Sequence, residues 1–477
     1  MTSCAVIAFG ASSGLGEGEA ALGVGTVGER AAVAVAPDRE LALAGLARPF
    51  CARVAGVDEA ASGADRATIL LERALAACAK DLDALMPGWR RRRVGLAIGT
   101  SSGGMRSFEA AFAEGGAPEG SARATYLGPV LAAARPCDLE PVAFILGACA
   151  SGTIAVGLAR EWLRAGACDI ALCGGFDAVS VFVASGFEAL RAVCTDGAPR
   201  PFRVGRDGLA LGEGAAVMAL VRDDDAALAS MTDALRDTRR GARGFVAGFG
   251  ASCDAVHLTA PDREGRGLAR AAQQALDDAG SPRIDLVSAH GTATVFNDAS
   301  ETQALAAVLG SRLAEVPIHA LKGGVGHTLG AAGALETLAA LHAMKLGIAP
   351  ASAGTGIIDG GVRVLDRAEK HEAGAALKLS AAFGGANAAL VLTRDPGTGT
   401  GTGTGTTSSR RGKRHVYVSR AVAVVDDVEA AIDARALAAR SESARRRPTP
   451  RMRPVPATPP CPAARSRRGR SPAGRRR

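Results

Sequence analysis

This sequence has few aromatic residues, and its cysteines do not have the spacing of a metal-binding site. Phe, Trp and Tyr make up 4% of its 477 residues, which argues against a protein that binds nucleic acid by stacking rings on bases. The ten cysteines are scattered and form no set of close pairs of the kind that binds zinc, and their scatter fits a reducing compartment. With 48% hydrophobic residues and 61 glycines, the composition favours closely packed helices on sheets and predicts no bound metal.

The sequence also lacks the features of a secreted or membrane protein. Residues 1–10 have no basic segment and only a short apolar run, so they do not resemble a secretory signal. Residues 141–159 carry no charged side chain, but glycine, serine and threonine interrupt the stretch, and we expect a buried core segment rather than a membrane span. These observations predict a cytoplasmic protein without membrane contact.

Positive charge is concentrated at the C-terminal end. Residues 396–477 contain 19 Lys or Arg and 5 Asp or Glu, a balance of +14, whereas the whole chain carries +8, so residues 1–395 carry −6. A Gly-Thr repeat opens this segment as a linker would, and Arg/Pro-rich stretches that predict disorder follow it. A basic arm that binds nucleic acid would show strongly salt-dependent binding. Because the segment has no motif that reads bases, we favour an incidental extension and no nucleic-acid partner.

Residues 142–163 have the pattern of a nucleophile elbow. Residues 142–146 form a short apolar run typical of a buried strand, residues 147–152 are all small, and residues 153–163 predict an apolar helix. A strand, a tight turn and a helix in this order present one side chain in the open at the helix N-terminus. Cys149 occupies that place, where the positive end of the helix dipole favours its thiolate. A single cysteine is more often structural, so this interpretation depends on the rest of the chain.

Strand and helix patterns alternate along the first 395 residues. Strands are predicted near residues 5–10, 94–98, 142–146, 170–174, 215–221, 245–251, 284–289, 318–321, 376–380 and 388–393. Helices are predicted at 65–86, 153–163, 267–279 and 328–346. The second group repeats the style of the first, which indicates a duplicated, layered α/β fold. We expect an N-terminal half at 1–228, a C-terminal half at 229–395 and a low-complexity segment at 396–477.

Three short motifs give the chain a resemblance to a known family. GACASG at 147–152, AHGTAT at 289–294 and KGGVGHTLGAAG at 322–333 occur in that order, together with RDGLALGEGAA at 206–216 and AFGGANAALVL at 382–392. They resemble the active-site segments of β-ketoacyl-acyl-carrier-protein synthases of the type I/II group, in the thiolase superfamily. The resemblance covers roughly residues 1–395 and implies a thiolase-like fold in an αβαβα arrangement. It also implies decarboxylative condensation of acyl chains in fatty acid or polyketide and polyene synthesis.

The resemblance assigns expected roles to individual residues. Cys149 would take an acyl group from a carrier-protein thioester, and His290 and His327, as neutral imidazoles, would donate N–H groups to the thioester oxygen of malonyl-carrier protein. The resemblance also marks Lys322 and Glu336 as a supporting charged pair, and the backbone N–H groups of Cys149 and Ala381 as an oxyanion hole. It places Thr292, Thr294 and Phe383 at the substrate. Asp298 and Glu301 match a structural pair of acids. It implies no bound cofactor, because the phosphopantetheine arm of the acyl carrier protein holds the substrates.

Partners and alternatives also follow from the resemblance. It implies a homodimer, or a heterodimer with a chain-length-factor-like subunit. A non-catalytic subunit of that second kind is the main alternative, and Cys149 argues against it because such subunits lack the nucleophile. A thiolase or type III condensing enzyme is a further alternative, against which His327 argues.

Two residues depart from the family pattern. Ala381 stands where the family usually has a phenylalanine that gates the acyl pocket, so we expect a more open pocket and a specialised polyene or polyketide role. Arg203 stands where the family commonly has aspartate, and the sequence offers no functional account of it.

Overall fold

The computed structural model describes residues 3–113, 115, 122–134, 139–223 and 242–396, and the strand Val422–Val424. The expected boundary at residue 228 and nearly all of the basic segment after residue 396 lie outside the described residues. Val422–Val424 pairs antiparallel with the strand Val142–Ile145. In the described part of the chain, no helix is both long and apolar enough to span a membrane.

Five strands of the N-terminal half form one end of a large sheet. In chain order they are β1 (Cys4–Ser13), β2 (Val94–Gly99), β3 (Val142–Ile145), β4 (Ile170–Asp177) and β5 (Gly214–Arg222). Their order in space is β1-β5-β4-β2-β3. The pairs β1–β5 and β5–β4 are antiparallel, whereas β4–β2 and β2–β3 are parallel.

Five strands of the C-terminal half repeat this arrangement. They are β6 (Phe245–Cys253), β7 (Leu286–Ser288), β8 (Pro317–His319), β9 (Ala375–Ala381) and β10 (Ala386–Thr393). Their order in space is β6-β10-β9-β7-β8, with the same succession of two antiparallel and two parallel pairs. A short antiparallel contact between β1 and β6 joins the two groups. The predicted duplication is therefore confirmed strand by strand.

Helices form three layers around the two groups of strands. The longer helices are α1 (Arg66–Leu85), α2 (Ser151–Ala165), α3 (Val181–Ala189), α4 (Arg266–Asp278), α5 (Val295–Leu309) and α6 (Ala332–Leu346). Side chains of α2 and α6 share one apolar cluster with Val6 and Leu390, whereas the alternate residues Ile7 and Val391 lie in the outer clusters with α1 and α4. The strands β1 to β5 therefore lie between α1 and the central helices α2 and α6, and the strands β6 to β10 lie between these central helices and α4. This is the predicted αβαβα arrangement.

Shorter elements connect this framework. The short helices are Arg39–Leu43, Glu59–Ser62, Met105–Ala113, Gly128–Ala133 and Lys322–Val325. Single 3₁₀ turns are Ala20–Leu22, Trp89–Arg91, Ala122–Ala124, Ala148–Ala150, Gly310–Ala314, Leu329–Ala331 and Phe383–Gly385. Short strands are Gly16–Glu17, Ala36–Pro37, Phe50–Ala52, Leu211–Gly212, Ile348–Ala349, Arg363–Val364 and Glu369–Lys370.

The sequence explains where the central helices begin and end. Almost every residue of α6 is buried, as its lack of a polar face requires for a helix between two sheets. Gly166 ends α2 and Gly347 ends α6, each in the left-handed conformation that glycine adopts at little cost. The segment 176–190, which has no clear pattern, divides into the end of β4 and helix α3, whose N-cap Ser180 accepts the N–H of Val183.

Glycines let α2 and α6 approach each other at backbone distance. A Cβ atom on Gly152 would lie 2.6 Å from the carbonyl oxygen of Gly330, and one on Gly333 would lie 2.2 Å from Thr153 Oγ1 and 2.5 Å from the nitrogen of Thr153. No side chain fits at either place without moving the backbone. This contact fixes the N-terminal end of α2, and with it Cys149, against the segment that carries His327.

We predict that Gly333→Ala destabilises the protein, because the added methyl group meets the backbone of α2. Its free energy of unfolding should fall by about 1–3 kcal/mol, the usual cost of overpacking a core. Gly186→Ala in α3 is the matched control, since a Cβ atom there meets nothing within 4 Å, and it should be neutral or stabilising by up to about 1 kcal/mol. Denaturant unfolding measures both. Equal stability of the two variants would contradict the close contact.

Candidate active site

Cys149 lies at a cavity, in the 3₁₀ turn between β3 and α2. The residue before it, Ala148, has φ of +47°, a conformation that is uncommon outside glycine and marks a sharp, strained turn. The Cys149 side chain is only 7% exposed, so the expectation of a side chain in the open is wrong. It lines a cavity of about 320 Å³ whose wall also includes His290 and His327. The structure thus brings together the three residues that the motifs single out.

Burial governs the ionisation of this thiol. It raises the pKa of Cys149 to about 12, and the nearby positive charge of Lys322 opposes this only in part. Burial therefore opposes the thiolate that the sequence analysis expects the helix dipole to favour.

The loop after β7 carries His290, and buried carboxylates hold it. Glu301 on α5 accepts the backbone N–H groups of His290 at 2.6 Å and Gly291 at 2.8 Å. Asp298 accepts those of Phe202 at 2.8 Å and Ala293 at 3.2 Å. Burial raises the pKa of Glu301 to about 7 and that of Asp298 to about 6. Both acids contact backbone rather than the cavity, as the sequence analysis expects of structural residues.

Hydrogen bonds determine which nitrogen of each imidazole carries the proton. The N–H of Leu329 donates to Nδ1 of His327 at 3.3 Å, and Nζ of Lys322 lies 3.3 Å from Nδ1 of His290. A backbone N–H group and a lysine ammonium group can only donate. Nδ1 is therefore the acceptor in both rings, and Nε2 carries the hydrogen. The ring centroids lie 5.5 Å apart in an edge-to-face arrangement. The site thus holds two N–H donors on adjacent rings.

Burial and neighbouring cations keep both rings neutral. The pKa of His290 and that of His327 lie well below the usual value, first because burial penalises the charged form and second because Lys322 and Lys378 repel it. Neutral imidazoles that can each donate one N–H group are what the sequence analysis expects at these positions.

A buried ion cluster supports the histidines. Nζ of Lys322 contacts Oε1 of Glu336 at 2.5 Å and donates to the carbonyl oxygen of His290 at 2.6 Å. Nζ of Lys378 lies 2.8 Å from Oε2 of the same carboxylate. The sequence analysis identifies Lys322 and Glu336 but misses Lys378. Its signal is a lysine between Leu377 and Leu379 in an otherwise apolar strand, where a charged residue is rare unless paired.

Asp177 at the end of β4 is a second residue that the sequence analysis misses. Its fully buried carboxylate accepts hydrogen bonds from the loop at 100–102 and from the N–H of Gly330. Asp177 thereby joins the carboxyl end of β2 to the segment of His327. The signal was weak, because residues 176–190 follow no regular pattern.

Residues of both halves line the cavity. They include Thr292 and Thr294, whose hydroxyl oxygens lie 2.9 Å apart. Ala381 and Phe383 line it as well, and the ring of Phe383 stacks on Phe187 at a centroid distance of 5.5 Å. Although Ala381 brings no ring, an aromatic pair therefore forms part of the cavity wall.

Arg203 and several other polar residues have structural contacts. Arg203 is buried and its guanidinium pairs with Asp366 at 2.6 Å and donates to the carbonyl of Gly356. Glu213 is buried between Arg53 and Arg66. His319 lies in β8, where burial lowers its pKa to about 4. His415 lies outside the described residues, and within those residues no group of three His, Cys, Asp or Glu side chains is arranged to hold a metal ion.

Comparisons with known proteins agree with this geometry. Residues 31–226 match the N-terminal domain of beta-ketoacyl synthase, and residues 243–355 match its C-terminal domain. The chain belongs to the beta-ketoacyl synthase family. Among solved structures, the ishigamide ketosynthase/chain length factor has a TM-score of 0.69 at 29% identity, over 82% of this chain and 99% of that one. The predicted thiolase-like ketosynthase fold is thus confirmed.

Relatives of this beta-ketoacyl synthase occur in two kinds of biosynthesis. The tetracenomycin polyketide synthase ketoacyl synthase alpha subunit of Streptomyces glaucescens is 35% identical over 267 residues, which cover 53% of this chain and 60% of that protein. A 3-oxoacyl-[acyl-carrier-protein] synthase 2 of Rhizobium meliloti (strain 1021) is 33% identical over 267 residues, covering 53% and 61%. Each match therefore spans less than two thirds of the relative's own length.

We predict that Cys149 of this synthase reacts slowly with iodoacetamide at pH 7. Because its pKa is raised to about 12, the thiolate fraction, and with it the alkylation rate, should rise about tenfold per pH unit from 7 to 10 without a plateau. Peptide mass spectrometry of the Cys149 peptide measures this rate. The Cys149→Ser variant accounts for labelling elsewhere, above all at the exposed Cys253. A plateau below pH 9 would show that the thiolate is stabilised after all.

Proposed function

We propose that this chain is a β-ketoacyl-acyl-carrier-protein synthase that carries out decarboxylative Claisen condensation. One observation carries the proposal: Cys149, His290 and His327 line the same cavity, and the hydrogen bonds to Nδ1 of both rings leave each with an Nε2–H donor. A thiol nucleophile beside two neutral donors suits a reaction in which an acyl group is held covalently while negative charge develops on a second thioester.

The first step of the proposed reaction loads the enzyme. The sulfur of Cys149 attacks the acyl thioester of the carrier, a new C–S bond forms, and the carrier's thiol leaves with the proton that Cys149 gives up. The backbone N–H groups of Cys149 and Ala381 would stabilise the tetrahedral oxyanion. Thr292 and Thr294, which line the cavity, would bind the phosphopantetheine arm through their hydroxyl groups.

The second step consumes malonyl-carrier protein. Its terminal C–C bond breaks, carbon dioxide leaves, and the electron pair passes into an enolate whose oxygen accepts the N–H groups of His290 and His327. The enolate carbon then attacks the acyl group on Cys149, a C–C bond forms, and the C–S bond breaks to release a thiolate, which takes a proton from solvent water to return the thiol. The product is a β-ketoacyl chain two carbons longer. Lys322 and Glu336 would hold His290 in place throughout, while Asp298 and Glu301 hold its loop.

The partners in this proposal follow from the chemistry. Substrates that arrive as thioesters on a phosphopantetheine arm require an acyl carrier protein, and no other cofactor enters the reaction. We also propose that the chain forms a homodimer, or a heterodimer with a chain-length-factor-like subunit. The ishigamide ketosynthase/chain length factor supports such an assembly by analogy. A cytoplasmic location is supported by the eight described cysteines, all free thiols. The tetracenomycin relative and Ala381 favour polyketide or polyene substrates over those of fatty acid synthesis.

Cys149→Ala should abolish acyl loading, because no other residue at the cavity replaces its sulfur. Intact-mass analysis after incubation with a panel of acyl-carrier proteins measures the loading, and Cys253→Ala is the control because Cys253 is exposed. Absence of loading on the wild-type chain from any donor would favour the non-catalytic, chain-length-factor-like alternative.

His290→Ala or His327→Ala should keep the loading but slow decarboxylation of malonyl-carrier protein by about 10²–10³-fold, the usual effect of losing one oxyanion donor.

Ala381→Phe should narrow the acyl pocket. The new ring would stand beside Cys149 and next to the stacked rings of Phe187 and Phe383. We expect the rate of loading to fall at least tenfold for the longest acyl chains that the wild type accepts and to change little for acetyl, since one misfitted group is worth about 1–3 kcal/mol in such a pocket. Competition between long and short acyl-carrier proteins measures the ratio. An unchanged ratio would show that residue 381 does not limit the pocket.

A further inference from the structure

Lys378 is a buried cation that the reaction proposed above leaves without a role. It lies in β9, 0% exposed, with its ammonium group 2.8 Å from Oε2 of Glu336. The same group donates to Oγ of Ser380 at 2.9 Å and to the carbonyl of Leu379. Placing an ammonium group in the interior is costly unless its partners are well arranged. A lysine buried beside a carboxylate, a hydroxyl group and a carbonyl group calls for an explanation beyond packing.

The contacts of Lys378 connect the two catalytic segments. Oε1 of Glu336 binds Lys322, which in turn contacts His290 through both its ring and its carbonyl oxygen. On the other side, Oγ of Ser380 lies 2.8 Å from Oγ1 of Thr153, a buried residue of α2 just after Cys149. A continuous buried chain of polar contacts thus runs from the histidine loop to the helix of the nucleophile, and Lys378 stands in its middle.

Lys378 also acts on the histidines through its charge. Burial disfavours that charge by lowering the pKa of Lys378, and the carboxylate of Glu336 favours it. The charged groups that act on the two rings are Lys322 from the Lys322–Val325 helix and Lys378 from β9. Glu336 of α6 pairs with both lysines, Glu301 of α5 accepts the backbone N–H of His290, and the thiol of Cys149 lines the same cavity. Both ammonium groups disfavour a third positive charge on either imidazole. A protonated ring would also lose its Nδ1 acceptor, and with it the hydrogen bond from Leu329 to His327.

We propose that Lys378 is a positioning residue for the condensation site, one that fixes Glu336 against Lys322 and keeps His290 and His327 neutral. This inference rests on the function proposed above for its catalytic consequence, but its electrostatic part can be measured without any turnover. One carboxylate is shared by two lysines so that each of its oxygens has a separate partner. The orientation of Lys322, and through it that of His290, is thereby restricted from both sides.

The first test is the titration of the histidines by NMR in the full chain. Lys378→Met removes one cation while Glu336 keeps Lys322 as its partner, so we expect the protein to fold. The imidazole signals of His290 and His327, assigned with single His→Ala variants, should shift toward protonation at a higher pH than in the wild type. Lys378→Gln provides the same test if the methionine variant does not fold. Lys345→Met, at an exposed lysine in the last turn of α6, should leave both signals unchanged.

The second test follows carbon dioxide release from malonyl-carrier protein. Lys378→Met should lower kcat about tenfold or more with little change in KM, since an electrostatic contribution to an anionic intermediate is lost. The acid limb of its pH profile should move to higher pH, because the rings bind protons more readily. Ser380→Ala removes a hydrogen bond but no charge, and should leave the position of that limb unchanged.

The outcomes separate the two proposals. Histidine signals and a pH profile that do not differ between Lys378→Met and the wild type would overturn the role of Lys378. A wild-type chain that releases no carbon dioxide from malonyl-carrier protein would contradict the proposed function, while the NMR shift would still decide whether Lys378 controls the histidines. A fall in kcat with an unmoved pH profile and unmoved histidine signals would reduce Lys378 to a packing residue.

Discussion

The structure depends on the contact between α2 and the segment from Gly330 into α6, where two backbones meet without side chains between them. Gly152, Gly330 and Gly333 make this possible, and Gly175 of β4 lies against the same carbonyl group of Gly330. The contact joins the two halves of the duplicated fold at its central layer. Because α2 starts next to Cys149 and α6 follows closely after His327, the same contact sets the position of the Cys149 thiol relative to the imidazoles.

Buried charge adds a second constraint on the same layer. Glu336 of α6 pairs with Lys322 and Lys378, so two ammonium groups from different segments of the chain meet its carboxylate. Removing one partner from a buried ion pair usually costs about 3–5 kcal/mol, whereas a well-packed apolar replacement would often be no less stable. Stability alone does not account for such a cluster. Its position directly behind His290 gives it an electrostatic use that an apolar cluster would lack.

Much of the fold could be predicted from the sequence because its signals are local. Apolar runs of strand length predict β1 to β10, and glycines predict where α2 and α6 end. The motifs around Cys149, His290 and His327 could be recognised one by one, since each spans only a few residues. The structure adds their meeting at one cavity.

The features that escaped prediction depend on distant contacts. The hydroxyl of Thr153 meets that of Ser380, 227 positions away, and only the register of β9 places Lys378 beside Glu336. Asp177 organises a loop and a helix that lie far apart in sequence. The wrong expectation that the Cys149 side chain lies in the open has the same origin. The dipole of α2 is a property of one segment, whereas the burial of Cys149 results from the walls that other segments build around it.

Burial has opposite effects on the two parts of the site, and both suit one kind of reaction. It raises the pKa of Cys149 to about 12, which favours the thiol over the thiolate. It also lowers the pKa of His290 and His327, so both rings remain neutral donors. The low dielectric that penalises an isolated thiolate strengthens each N–H···O⁻ bond to an intermediate formed in place. A cavity with neutral donors therefore stabilises negative charge where it develops on a group bound next to Cys149, His290 and His327.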